Sequence, residues 1–177
     1  MQTYTNKKWI TSDLQLKKLL HQCKKCSWYT MNGNLIFPYD NIVTAHVPRR
    51  KFTLILNTNN SLASNASLGH WLTCHVDVKA GIAILHDSLN EIEKFHPDVL
   101  QKIRLFCRIR NLTLNILRLK TQESKNVNCG MHAIWFTHKS HDFNSNALLK
   151  LKALFQAYSI NVRERFVMNN VLSVFRF

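Results

Sequence analysis

Apolar residues first recur at helical spacing between Thr11 and Cys23, where Leu14, Leu16, Leu19, Leu20 and Cys23 fall near one face. Ser12 or Asp13 stands where an N-cap belongs, so this segment is predicted to be a helix. The period then changes. An Asn-Gly dipeptide and Phe37-Pro38 punctuate Met31 to Asp40, and Lys51 to Asn57 is rich in β-favouring residues ahead of a polar run to Ser67, which predicts a strand entering a long loop. His70 to Val78 alternates in part, and Gly81 to His86 is a short apolar run. Only Asp77, Lys79 and Ala80 interrupt the two, which predicts adjacent antiparallel strands. Phe95 to Cys107 carries Val99, Leu100, Ile103 and Phe106 at helical spacing, and Leu112 to Leu119 returns to strand-like alternation. Gly130 to His138 is apolar without proline, and Ala147 to Tyr158 places Leu148, Leu151, Leu154, Phe155 and Tyr158 on one stripe, so two helices are expected to close the chain. No repeat or linker interrupts residues 1–177. The expectation is one α+β domain, a central mixed or antiparallel sheet packed against helices.

Composition narrows the class. Apolar residues are 46% and charged residues 19%, with Gly 4 and Pro 3, which excludes disordered, collagen-like and low-complexity chains. The longest apolar runs, such as Gly81 to Leu85 and Ala133 to Phe136, fall far short of the roughly 20 residues of a membrane span, so a soluble chain with no membrane partner is expected. Met1 to Trp9 carries Lys7 and Lys8 without a following apolar stretch, which argues against a secretory leader. Five cysteines are an odd number, so reduced thiols and an intracellular compartment are expected. Lys and Arg number 24 against 10 acidic residues, a formal charge of +14, which favours nonspecific binding to DNA through phosphate neutralisation. The basic residues are scattered, so no groove-reading motif emerges.

Three windows offer the groups that thiol catalysis needs: a nucleophile, a base, a residue to orient the base, and a donor for the developing oxyanion. They are Gly69-His70-Trp71 opening a strand, His86-Asp87-Ser88-Leu89 closing the next, and Gln122 through Cys129-Gly130 entering a helix. In an antiparallel pair the start of one strand lies beside the end of the other, so His70 and Asp87 are expected to meet. Asp87 would then fix the tautomer of His70 and stabilise its imidazolium. Cys129 is predicted at a helix N-terminus, where the dipole and a charged histidine lower a thiol pKa to roughly 3.5 to 7.5. Gln122 is the candidate oxyanion donor, with the backbone N–H of Cys129 or Gly130 as a second. Gly130 also lets a substrate carbonyl approach closely. Trp71 is assigned to covering the histidine and to the substrate cleft, so Trp71 and Gly130 are the candidate substrate-binding residues.

The order His-Trp, then Asp 17 residues on, then Gln followed seven residues later by Cys-Gly resembles the superfamily of the adenovirus protease (adenain) and the SUMO-specific proteases. The SUMO-protease branch is resembled at Trp9 to Asp13, His70-Trp71, Asp87-Ser88-Leu89 and Gln122 to His132. The adenain branch is resembled in the seven-residue Gln to Cys interval, where SUMO proteases usually have six, and in Ile55-Leu56-Asn57-Thr58 leading to Gly69-His70-Trp71. The resemblance spans about residues 9–138. One departure is Asp87 where adenain has Glu, a residue the deconjugating relatives share with this chain. The resemblance implies a cysteine endopeptidase that cleaves precursor polypeptides of a virus or virus-like element, with Cys129, His70, Asp87 and Gln122 as the catalytic set. It further implies a viral protein of virion maturation, located in the host nucleus or virion, with DNA or a peptide as activator. No metal or small cofactor is expected, and the protein is expected to be a monomer. Two alternatives stand beside this reading: an isopeptidase removing SUMO or other ubiquitin-like modifiers, and a non-catalytic basic DNA-binding virion protein on a degenerate protease fold.

The other reactive residues read as structural. His21, Cys23 and Cys26 lack the fourth ligand and matching pair that tetrahedral zinc needs. Cys74 and Cys107 sit in apolar contexts where a thiol behaves as a small hydrophobe. His75, His86, His132 and His138 are expected to be surface residues or hydrogen-bonded core residues, with His86 a bystander beside Asp87.

Overall fold

Five strands pair in chain order: β1 (Ile36–Pro38), β2 (Phe52–Asn57), β3 (Trp71–Asp77), β4 (Ile82–His86) and β5 (Thr113–Leu117). The outer pairs are parallel and the inner two antiparallel, which makes the sheet mixed. The structure is a computed structural model that describes residues 13–22, 36–38, 42–44, 47, 51–59, 69–142 and 145–174. Every residue of β2 and β3 is buried, because helices cover both faces and the strands need no polar side.

On one face Leu54, Leu56, Leu72, Cys74, Val76 and Leu85 pack against α2 (Ile92–Phe95) and α3 (Pro97–Ile109), the crossover that a parallel β4–β5 pair requires. The sequence predicts one helix from Phe95, but the structure breaks it. Pro97 occupies the first turn of α3, and His96 before it is held out of the helical region at φ −137°, ψ 53°. The far end of α3 closes in a Schellman motif: Asn111 takes φ 54° and donates its N–H to Arg108 C=O, and Leu112 N–H donates to Cys107 C=O. Leu112 is thereby folded into the core beside Cys107, and β5 follows at once.

On the opposite face lies α4 (Cys129–Asp142), buried at every position from 131 to 137. A helix apolar all round must be enclosed, and it is. Ile55, Trp71, Ile84 and Leu117 from the sheet share a core with it, as do Leu16 and Leu20 of α1 (Asp13–Gln22), Phe155 of α5 (Ser145–Gln156) and Val167, Met168 and Val171 of α6 (Ile160–Val174). Thr53 Oγ1 on this face lies 3.2 Å from His75 Nδ1, its register partner, and 2.9 Å from Ser140 Oγ on α4. No described helix is long and apolar enough to cross a membrane.

Two elements escape the sequence pattern. β1 contains Pro38, which reads as a breaker yet is tolerated on an edge strand. The apolar stripe of α6 is broken by Arg163, Glu164 and Arg165, and Glu164 turns out to be buried. The predicted cap Ser12, the loop residues 60–68, and Cys23 and Cys26 lie outside the described residues.

Candidate active site

The strand ends do bring His70 to Asp87. The β3–β4 ladder runs out at Thr73 opposite His86, so the residues just before and just after the paired strands are neighbours. His70 Nε2 lies 2.7 Å from Asp87 Oδ1, with the two side chains 12% and 3% exposed. The histidine backbone is clamped to the end of β2: its N–H donates to Thr58 Oγ1 at 2.8 Å, and Thr58 N–H donates to its carbonyl at 2.9 Å. Gly69 makes this approach practicable, since a Cβ there would overlap the Asn57 side-chain amide and come 2.9 Å from Asn59 N. Gly69→Ala should therefore displace Asn57, whose Oδ1 accepts Asn59 N–H, and cost about 1–3 kcal/mol as an overpacked site, read as a lower urea midpoint with unchanged slope.

Asp87 is the best-held residue of the site. Leu89 N–H donates to Oδ1 at 2.9 Å and Glu91 N–H to Oδ2 at 2.7 Å, in a turn that Asn90 completes at φ 58°. Burial opposes its charge, but the bond from His70, that ring's charge and the two amides outweigh it and draw the carboxyl down to about 2.

Cys129 is the first residue of α4, where the helix dipole favours an anion. Burial alone would raise its thiol. The hydrogen bond and charge of His70, with backbone N–H groups of Trp71 and Gly130 donating to Sγ, hold it below the ordinary thiol range. The same contacts act on His70 in the opposite sense: burial disfavours its charge, while Asp87 and Cys129 raise it to about 9. With Asp87 on Nε2, Nδ1 is the ring nitrogen left to exchange a proton with sulfur. The arrangement chains a thiol whose pKa is lowered, an imidazole whose pKa is raised and a carboxylate.

Gln122 is placed from below rather than from the triad. Ser88, next to Asp87, donates its hydroxyl to Gln122 Oε1 at 2.7 Å and accepts the N–H of Gln122 and Thr121 on its carbonyl. Gln122 Nε2 donates to Asn126 C=O, which leaves its second hydrogen for another acceptor. Trp71 enters through its backbone N–H. Its indole is 3% exposed and packs in the core.

The remaining candidates separate cleanly. His86 is stacked on Phe136 at 4.7 Å, and burial, with the charge of His132, pulls it down to about 3, so it stays neutral beside the site. His132 Nδ1 lies 2.9 Å from Thr121 Oγ1. Cys74 and Cys107 are buried with thiols pushed up, the latter to about 11, which makes them poor nucleophiles. His96, which the sequence does not single out, stacks over His70 with centroids 6.3 Å apart and planes 13° apart. Among the described residues no group of three or more His, Cys, Asp or Glu is placed to hold a metal.

The fold recurs in solved structures at low identity. The pS273R protease of ASFV superposes with a TM-score of 0.54 at 12% identity, over 97% of this chain and 70% of its own. ChlaDub1 from Chlamydia trachomatis gives 0.54 at 12% identity, over 98% of this chain and 93% of its own. The SUMO protease Ulp1 aligns at 17% identity over 69% of this chain and 54% of its own, with a TM-score of 0.37. No protein-family model matches the chain, and no curated protein matches it in sequence.

Proposed function

We propose that the chain is a cysteine peptidase in which Cys129 attacks the carbonyl carbon of a polypeptide amide. The observation that carries this reading is the hydrogen-bonded line Cys129, His70, Asp87 at the ends of three elements. A C–S bond forms as the carbonyl π pair moves to oxygen, and the free hydrogen of Gln122 Nε2 is the donor assigned to that oxyanion. The tetrahedral species collapses with cleavage of the C–N bond, and the His70 imidazolium gives its proton to the departing amine. Water, its proton taken by the now neutral His70, then adds to the thioester, releases the acid and restores the thiol pair. Asp87 keeps the ring oriented throughout. The fold shared with the ASFV protease supports precursor polypeptides of a virus or virus-like element as substrates, and the odd number of cysteines supports a reducing intracellular setting.

Iodoacetamide at about pH 6 tests the nucleophile, because an ordinary thiol is protonated there. Residue 129 should be the alkylated position by peptide mass spectrometry, and denatured viral precursor or casein should be cut by wild type. A chain that resists alkylation at Cys129 and cuts nothing loses the proposal. Covalent capture by SUMO or ubiquitin vinyl sulfone would move the reading to an isopeptidase. The formal charge of +14 supports DNA as an activator. Turnover stimulated by duplex DNA should then fall steeply as salt rises, and a salt-independent rate removes DNA from the mechanism.

A further inference from the structure

Among the described residues, Glu164 is the most enclosed carboxylate outside the chemistry above. Glu164, on α6, is 4% exposed, on a helix whose buried neighbours are Val167, Met168 and Val171. An isolated carboxylate there would be costly, and it is not isolated. Oε2 accepts Asn126 Nδ2 at 2.9 Å and Glu123 N–H at 3.3 Å, while Oε1 accepts Asn128 Nδ2 at 3.1 Å and lies 3.9 Å from His132 Nε2. Burial pushes its pKa up, but His132, Asn126 and Asn128 prevail and hold it in the ionised form. His132 faces the carboxylate from α4, and the donors Glu123, Asn126 and Asn128 belong to the segment between β5 and α4, the stretch that separates Gln122 from Cys129 and has no ladder or helix to fix it. The preceding residue grips the same segment from its other side: Arg163 donates to Lys120 C=O at 3.0 Å.

These contacts converge on one group. Asn126 offers its side chain to Glu164 and its carbonyl to Gln122 Nε2. We infer that Glu164 is a positioning residue that acts through Asn126 to aim the Gln122 amide, so that the C-terminal helix α6 is a working part of the site. The inference rests on the peptidase reading. It distinguishes Glu164 from a carboxylate that merely steadies the fold, because the effect must reach the oxyanion and spare the thiolate.

Two reactions of Cys129 separate these roles. Acylation by p-nitrophenyl acetate forms an oxyanion as sulfur bonds to the acyl carbon and p-nitrophenolate leaves. Alkylation by iodoacetamide displaces iodide and forms none. Glu164→Gln should slow acylation by about 10- to 100-fold, the scale of a misplaced catalytic group, with alkylation changed by less than about two-fold. Gln122→Ala should cost on the order of 100-fold in acylation, and in that background Glu164→Gln should add less than about two-fold. Losses that multiply in the double variant overturn the inference, as does an equal fall in both reactions. If Glu164→Gln does not fold, Asn126→Ala, which removes one donor and keeps the carbonyl on Gln122, decides: a smaller acylation-selective loss upholds the inference and its absence overturns it. A wild type whose Cys129 resists iodoacetamide at about pH 6 ends the peptidase reading, and this inference with it. A reactive wild type with multiplying losses ends only the role of Glu164.

Discussion

Cys129→Ser is expected to lower turnover by on the order of 10,000-fold or more and to remove residue 129 from the iodoacetamide-labelled peptides. The change is one atom, and its effect follows from where the charge rests before reaction. In the wild type the His70 ring and the N–H groups of Trp71 and Gly130 are turned toward the sulfur and favour its anion before reaction. A serine hydroxyl cannot be ionised by those contacts. The imidazole would have to take the proton during attack, while Asp87, against the opposition of burial, favours a ring that is already charged. The substitution removes little volume, at a half-buried position, so the variant should unfold near the wild-type urea midpoint. Turnover or alkylation retained at residue 129 would remove that sulfur from the mechanism. The expected residue of catalysis is what the oxyanion donors and substrate binding supply alone.

The chemistry was legible in the sequence because its residues sit at element ends. A strand start, a strand end and a helix start are each marked by a change of hydrophobic period, and antiparallel pairing converts two such marks into a contact between His70 and Asp87. The resemblance in order and spacing points to the same residues, and the fold shared with the ASFV protease agrees with the fold that the resemblance implies. What escaped has a physical reason in each case. β1 is a three-residue edge strand containing a proline, below any pattern signal. His96 is at the site because Pro97 forces a break at a residue that periodicity places inside a helix from Phe95 to Cys107, turning the histidine back over His70. Glu164 is invisible for a deeper reason: a charge in an apolar stripe reads as the end of a buried face, and only the fold supplies the three donors from a distant loop that make its burial tolerable. A sequence shows which groups are reactive more readily than it shows what holds them still.

Asp87→Asn should leave the thiol in place and still cost on the order of 10,000-fold in turnover, the scale seen when a triad loses the carboxylate that fixes its tautomer. An asparagine has one oxygen where the carboxylate gives Leu89 N–H and Glu91 N–H one each, so it keeps one of these amides and loosens the turn before α2. What disappears is the charge beside Nε2. Burial already disfavours the imidazolium, and Asp87 is the first of the groups that reverse this and bring His70 to about 9. Without it the His70 pKa must fall, and that of Cys129 must rise, since each ion is the other's partner. In wild type the pair should persist from the depressed Cys129 pKa up to about 9, so the variant's alkylation profile against pH should lose its neutral plateau and move toward that of an ordinary thiol. Stability changes in a defined window. The contribution of His70, whose pKa is raised on folding, is complete below its unfolded value near 6.5 and is lost as pH rises through about 9. That of Asp87, whose pKa is lowered, is complete above its unfolded value near 3.8 and is lost as pH falls through about 2. Both are present together between those unfolded values, so the urea midpoints of wild type and variant should differ most near pH 5 and converge toward either extreme. A constant difference across that range, or an unchanged alkylation profile, would place control of His70 in groups other than Asp87.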